Sequence, residues 1–145
     1  MNIFIVWNTY SILELMLSVE EYHEFYLFID AEYNKKDDYY IFNLCNRLID
    51  SGFFKGVIDA NDISKHSYQT VACMAHMNDY LFNLLNSISF ENLIFLEEGL
   101  YNYIETDIEQ KYLYLYNQAT LFVNDIKNVC NKEIYGKIIE IYRIN

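Results

Sequence analysis

The chain has 145 residues, 53% hydrophobic and 18% aromatic, a length of about one domain and a composition that excludes disorder. Twenty-one acidic against ten basic side chains leave a net charge of −11, which repels phosphate backbones and anionic lipid surfaces, so no nucleic-acid partner is expected. Cys45, Cys73 and Cys130 stand at unrelated spacings, the N-terminus has no basic leader region, and no run nears the roughly 18 apolar residues of a membrane span; these features predict reduced thiols, no transmembrane segment and a cytoplasmic location.

Ile3-Phe4-Ile5-Val6-Trp7 is a short continuous apolar run, the pattern of a strand buried on both faces. Asn8-Thr9 offers a cap, and Ile12, Leu13, Met16 and Leu17 give helical spacing over 10–20. Phe25 to Ile29 is a second apolar run, ending in Asp30. A polar loop follows, then a helix over 40–51 through Ile41, Leu44, Leu48 and Ile49, with Gly52 as its stop. Gly56-Val57-Ile58-Asp59 reads as a third strand, 64–85 as one long helix or two, and Leu93-Ile94-Phe95-Leu96 as a fourth buried strand closed by Glu97-Glu98-Gly99. Strand and helix alternate over 1–104, which predicts an α/β fold: a Rossmann-like, doubly wound, mainly parallel sheet in three α/β/α layers. The remainder, 105–145, is less regular; 111–116, 120–123 and 137–142 fit strands or short helices, and the alternation of Tyr112, Tyr114 and Tyr116 with Leu113 and Leu115 favours a strand. With no proline and only four glycines, no linker divides the chain, so 1–145 reads as a single domain.

Ligands of open α/β sheets bind beyond the carboxyl ends of the strands. The residues there are Trp7-Asn8-Thr9, Asp30, Asp59-Ala60-Asn61-Asp62 and Glu97-Glu98-Gly99, an acidic and polar rim suited to hydroxyl-rich ligands or proton abstraction. Adjacent carboxylates that are partly buried do not both ionise easily, so one of Glu97 and Glu98 is poised as a general base, and Gly99 permits a tight turn. A solvated acidic turn is the plainer account of the bare tripeptide. No glycine-rich phosphate cradle follows the first strand, which argues against a dinucleotide cofactor, and Asn8 stands where a receiver domain needs paired acids. Cys73-x-x-His76 is one pair without a second, within the predicted helix, so no metal is expected. The tyrosines accompany abundant Asn, Ile and Lys, a bias that AT-rich coding produces, and they suit core packing as well as a ligand platform.

Leu93-Ile94-Phe95-Leu96-Glu97-Glu98-Gly99-Leu100-Tyr101-Asn102-Tyr103 resembles the acid-acid-glycine motif of bacterial sialyltransferases and polysialyltransferases of the two-domain GT-B type. The opening Ile3 to Tyr10 is similar in style, and the resemblance spans residues 1 to 104. It implies that Glu97 is the catalytic base, that Glu98 positions or tunes it, and that Gly99 lets the loop pass close to the sugar; with the strand-end residues Asn8, Thr9 and Asp59 and the nearby Tyr101, Gly99 completes the expected substrate-binding set. It further implies a CMP-sialic acid donor, a glycan acceptor, inversion at the anomeric carbon, and no cofactor or metal. The chain departs from the family in having no proline, hence no His-Pro motif for the departing phosphate. The resemblance thus describes the acceptor-side half of an enzyme of surface polysaccharide or lipooligosaccharide synthesis, inactive alone, with the cationic donor site on a second domain. Two rival readings are a non-catalytic α/β module that self-associates through the face a second domain would cover, and an unrelated small enzyme with Glu97 or Asp59 as base and His66 or His76 as acid.

Overall fold

The computed structural model describes residues 1–30, 38–74, 78–96 and 120–122. These form six strands: β1 (Asn2–Ile5), β2 (Phe25–Phe28), β3 (Gly56–Ile58), β4 (Ser67–Met74), β5 (Ser89–Leu96) and β6 (Thr120–Phe122). All pairings are parallel, in the order β3-β2-β1-β4-β5-β6. Three helices accompany them: α1 (Thr9–Ser18), α2 (Asp38–Asp50) and α3 (Asp79–Ser87). This is the doubly wound α/β arrangement that the alternating pattern predicts.

Parallel strands covered on both faces must be apolar on both, and β1 meets that demand. Phe4 and Val6 pack with Ile12, Leu15, Ile41 and Leu44 on the face covered by α1 and α2. Ile3 and Ile5 pack with Leu81 and Leu85 on the face covered by α3. The placement follows from chain handedness: β1 to β2 to β3 steps one way and β4 to β5 the other, so right-handed crossovers put α1 and α2 on one face and α3 on the opposite one.

Local chemistry sets the helix ends. Asn8 caps α1, and the helix closes with the Val19 amide donating to the Leu15 carbonyl at 2.9 Å. α2 ends in a glycine turn: Gly52 has φ +82°, its N–H donates to the Ile49 carbonyl at 2.9 Å, and the Phe53 N–H reaches back to Leu48 at 2.9 Å. Only a residue without Cβ takes that conformation freely.

The helix predicted over 64–85 is corrected by the structure. Residues 67–74 are β4, and the helix begins only at Asp79, after the Asn78 cap. Val71-Ala72-Cys73-Met74 is buried on both sides in the middle of the sheet, and a continuous apolar run of that length carries no period that separates strand from helix. Cys73 accordingly lies enclosed in a strand, not on a helix. The crossover from β3 to β4 therefore uses no α-helix. Its 3₁₀ turn, Ile63–Lys65, carries Ile63 onto the α3 face, and the Tyr68 hydroxyl donates to the Ile63 carbonyl. Of the segments read as strands or short helices, 120–123 contains the strand β6, whereas 111–116, where a strand is expected, and 137–142 lie outside the described residues. Among the described residues no helix is long and apolar enough to cross a membrane.

Candidate functional site

The strand order reverses between β1 and β4, and the crevice beyond the carboxyl ends at such a reversal is the usual ligand position in these sheets. The described residues around it are Trp7, Asn8 and Thr9 after β1, Asp30 after β2, and Asn78 and Tyr80 at the start of α3; all six are half-buried. None of these six carries a positive charge.

The Asn8 side chain is committed to the α1 terminus. Its Oδ1 accepts from the Ser11 N–H at 2.8 Å. Ser11 Oγ donates to the Asn8 carbonyl at 2.7 Å and accepts from the Asn8 and Trp7 N–H groups at 3.1 and 3.2 Å. A serine thus closes the reciprocal cap that a glutamate usually closes. Asn78 caps α3 in one direction only, accepting from the Leu81 N–H at 2.8 Å. Both helix termini facing the crevice are capped by asparagine side chains.

Asp30 is held differently. On β2 and just beyond it, Phe25, Leu27 and Ile29 face α1 and α2, while Phe28 faces α3. Continuing the alternation turns Asp30 toward the α3 side. There its Oδ2 accepts from the Tyr80 hydroxyl at 2.5 Å, a charge-assisted bond that joins the end of β2 to the first turn of α3 past the end of β1. The Val6 N–H donates to the Phe28 carbonyl at 3.0 Å, so the pairing of β1 with β2 continues up to this point.

Asp59 lies farther out, at the end of the outer strand β3, and is exposed. Its Oδ1 accepts from the Asn61 and Asp62 N–H groups at 3.0 and 3.2 Å and shapes the turn into the crossover. Asp62 in turn pairs with Lys65 at 3.0 Å, and that hydrogen bond and positive charge hold its carboxyl below the ordinary range. Burial pushes the Cys45 thiol up to about 12 and raises Cys73 further, so neither is a ready nucleophile.

The remaining expected site residues, Glu97, Glu98, Gly99 and Tyr101, lie outside the described residues, as does His76. The strand that leads into them is described: β5 ends at Leu96, opposite Met74, at the same carboxyl edge as the crevice. His66 immediately precedes β4 and so stands at the amino edge. Eight residues of strand at about 3.3 Å each put it roughly 25 Å from that rim, too far to serve as the acid for a base carried there. Among the described residues no three His, Cys, Asp or Glu side chains gather as a metal site.

Tyr80 is not among the residues the sequence singles out, because it falls within the span read as one long helix or two. Its signal was available: Asn78-Asp79 is a cap followed by a first-turn acid. Ser11 and Glu14, two polar residues of α1 that are almost fully enclosed, are likewise not singled out. Comparison with known protein families, curated proteins and solved structures finds no match to this chain.

Proposed function

We propose that the chain is a glycosyltransferase-like domain, the acceptor-side half of a sialyltransferase-type enzyme for bacterial surface polysaccharide or lipooligosaccharide, with Glu97 as its general base. One observation carries the reading. β5, whose sequence runs directly into Glu97-Glu98-Gly99, ends on the ligand-binding edge of a doubly wound sheet and pairs with β4, which borders the reversal point. An acid pair following that strand suits proton abstraction better than a solvated turn elsewhere on the molecule would.

In the proposed reaction the Glu97 carboxylate takes the proton of an acceptor sugar hydroxyl. The oxygen attacks the anomeric carbon of CMP-sialic acid, the new glycosidic bond forms with inversion, and CMP leaves with the electron pair of the broken bond. Glu98 holds or tunes Glu97, and negative charge beside the oxocarbenium-like transition state stabilises it. The leaving phosphate needs cationic donors, and a second domain is their proposed source, since these 145 residues hold no His-Pro pair.

The test is transfer of labelled sialic acid from CMP-sialic acid to a glycan. The chain alone gives negligible turnover. Fused to the nucleotide-binding half of a sialyltransferase it transfers, and Glu97→Gln lowers kcat by about 10²-fold or more, the usual worth of a general base. Near-full turnover by the Gln variant would refute the base assignment, and robust transfer by the unfused chain would refute the division of labour.

A further inference from the structure

We infer that the crevice between β1 and β4 is a subsite for the hydroxyls of a neutral sugar, with Asp30 and Tyr80 as the pair that recognises it. The choice of a glycan rests on the proposed function; the location rests on the fold.

The first support is position. Asp30 and Tyr80 come from elements 50 residues apart in sequence and meet at the reversal point of the sheet. Their bond closes the α3 side of the crevice, while Trp7, Asn8 and Thr9 border the α1 side.

The second support is chemical. An ionised carboxylate only accepts hydrogen bonds, so it recognises donors. Sugar hydroxyls are donors, whereas a phosphate offers almost none and is repelled by a like charge. The six described residues bordering the crevice bring a carboxylate, a phenol, an indole, a hydroxyl and two carboxamides, and no cation. The carboxylate, the hydroxyls and the aromatic rings of that set suit a polyol with apolar ring faces. The Tyr80 phenol acts on Asp30 by fixing its carboxylate, so it is a positioning residue.

The third support is the commitment of neighbouring groups. Asn8 Oδ1 and Asn78 Oδ1 are engaged in caps, and Asp59 Oδ1 is engaged in a turn on the outer strand. Asp30, its Oδ2 held in place by Tyr80, is the carboxylate of the described edge that lies beside the crevice.

Trp7 is the sole tryptophan of the chain and is half-buried at this crevice, so its fluorescence reports on the subsite. The experiment titrates the full chain with a panel of neutral sugars (galactose, lactose, maltose and N-acetylglucosamine) and separately with CMP. At least one sugar is expected to give a saturable change in the millimolar range. Asp30→Asn weakens that sugar about tenfold or more, Tyr80→Phe several-fold, and Glu24→Gln, exposed at the opposite, amino edge of the sheet, not at all. If circular dichroism shows Asp30→Asn unfolded, Tyr80→Phe, which keeps the ring, decides. The inference is overturned if no sugar of the panel binds the folded chain, if the deciding variant binds the sugar as tightly as the parent, or if CMP binds and Asp30→Asn strengthens it. Sugar binding that depends on Asp30, alongside a harmless Glu97→Gln in the fused enzyme, would sustain this subsite and sink the catalytic reading. The reverse pattern would do the opposite.

Discussion

The reciprocal cap at the head of α1 decides whether Asn8 is a structural residue or a ligand contact, and the two roles predict different melting behaviour. Asn8→Ala removes the acceptor for the Ser11 N–H, a loss of about 1 kcal/mol for a side-chain cap. Ser11→Ala leaves the Trp7 and Asn8 N–H groups without the Oγ they share, at a position that is 0% exposed. Leaving these two part-buried donors without their acceptor costs about 2 kcal/mol. The two residues form one network, so the double variant should lose less than the sum, by roughly 0.5–1 kcal/mol. At this chain length each kcal/mol lowers Tm by about 3 °C, so the singles should melt about 3 and about 6 °C below the parent. Thermal unfolding followed by circular dichroism, with urea midpoints as a check, measures both. Asn8→Ser and Asn8→Asp, which cap well, should melt close to the parent. An Asn8→Ala variant that melts within about 1 °C of the parent would show that the cap carries no stability and would return Asn8 to the list of ligand contacts.

Gly52→Ala forces a β-carbon into φ +82°, with nothing within 4 Å of the added atom, so the cost is conformational alone; about 1 kcal/mol is expected from the urea midpoint, and Gly52→Asn should recover part of it. The buried Cys45 thiol keeps its proton up to about 12 in the folded chain against 9.0 unfolded. The unfolded chain therefore binds fewer protons above pH 9, and stability falls as pH rises from about 9 toward 12. Urea midpoints at pH 8 and 10.5 should show the drop, and it should shrink in Cys45→Ala; an equal drop in that variant would assign it to other groups, such as the raised phenols of Tyr22 and Tyr68.

The parts of the fold legible in the sequence are those where local chemistry and burial agree. β1 and β2 were readable because short apolar runs were bounded by a cap, an acid or a polar loop, and α2 because Ile41, Leu44 and Leu48 recur at helical spacing before Gly52. β4 was not. Tyr68, Val71 and Ala72 fall at i, i+3 and i+4 as readily as they line a strand, and the only long-range fact that decides between them is pairing with β1 and β5. A helical reading of 64–85 passes through the Asn78 cap and so hides Tyr80, whereas Asp30 stands out at the end of an apolar run. Glu14 escaped for another reason: a single acid on an apolar helix reads as the solvent face, yet α1 is covered widely enough to enclose it at 2% exposure. The Asp30–Tyr80 bond joins residues whose separation no local pattern records.

Asp30 and the proposed base Glu97 should have separable effects because of where β2 and β5 end. Asp30 follows β2, and Leu96 closes β5, with β1 and β4 between them. Three interstrand spacings of about 4.8 Å set the two strand ends roughly 14 Å apart. That exceeds the Debye length of about 8 Å at physiological salt, so removing the charge of Asp30 should scarcely shift the titration of a base carried just beyond Leu96. Asp30→Asn in the fused enzyme should therefore raise KM for the acceptor and leave the acidic limb of the kcat profile in place, while Glu97→Gln lowers kcat itself. A shift of that limb in Asp30→Asn by a full pH unit would mean that the two carboxylates share one desolvated site, and the separation between recognition and proton abstraction would have to be given up.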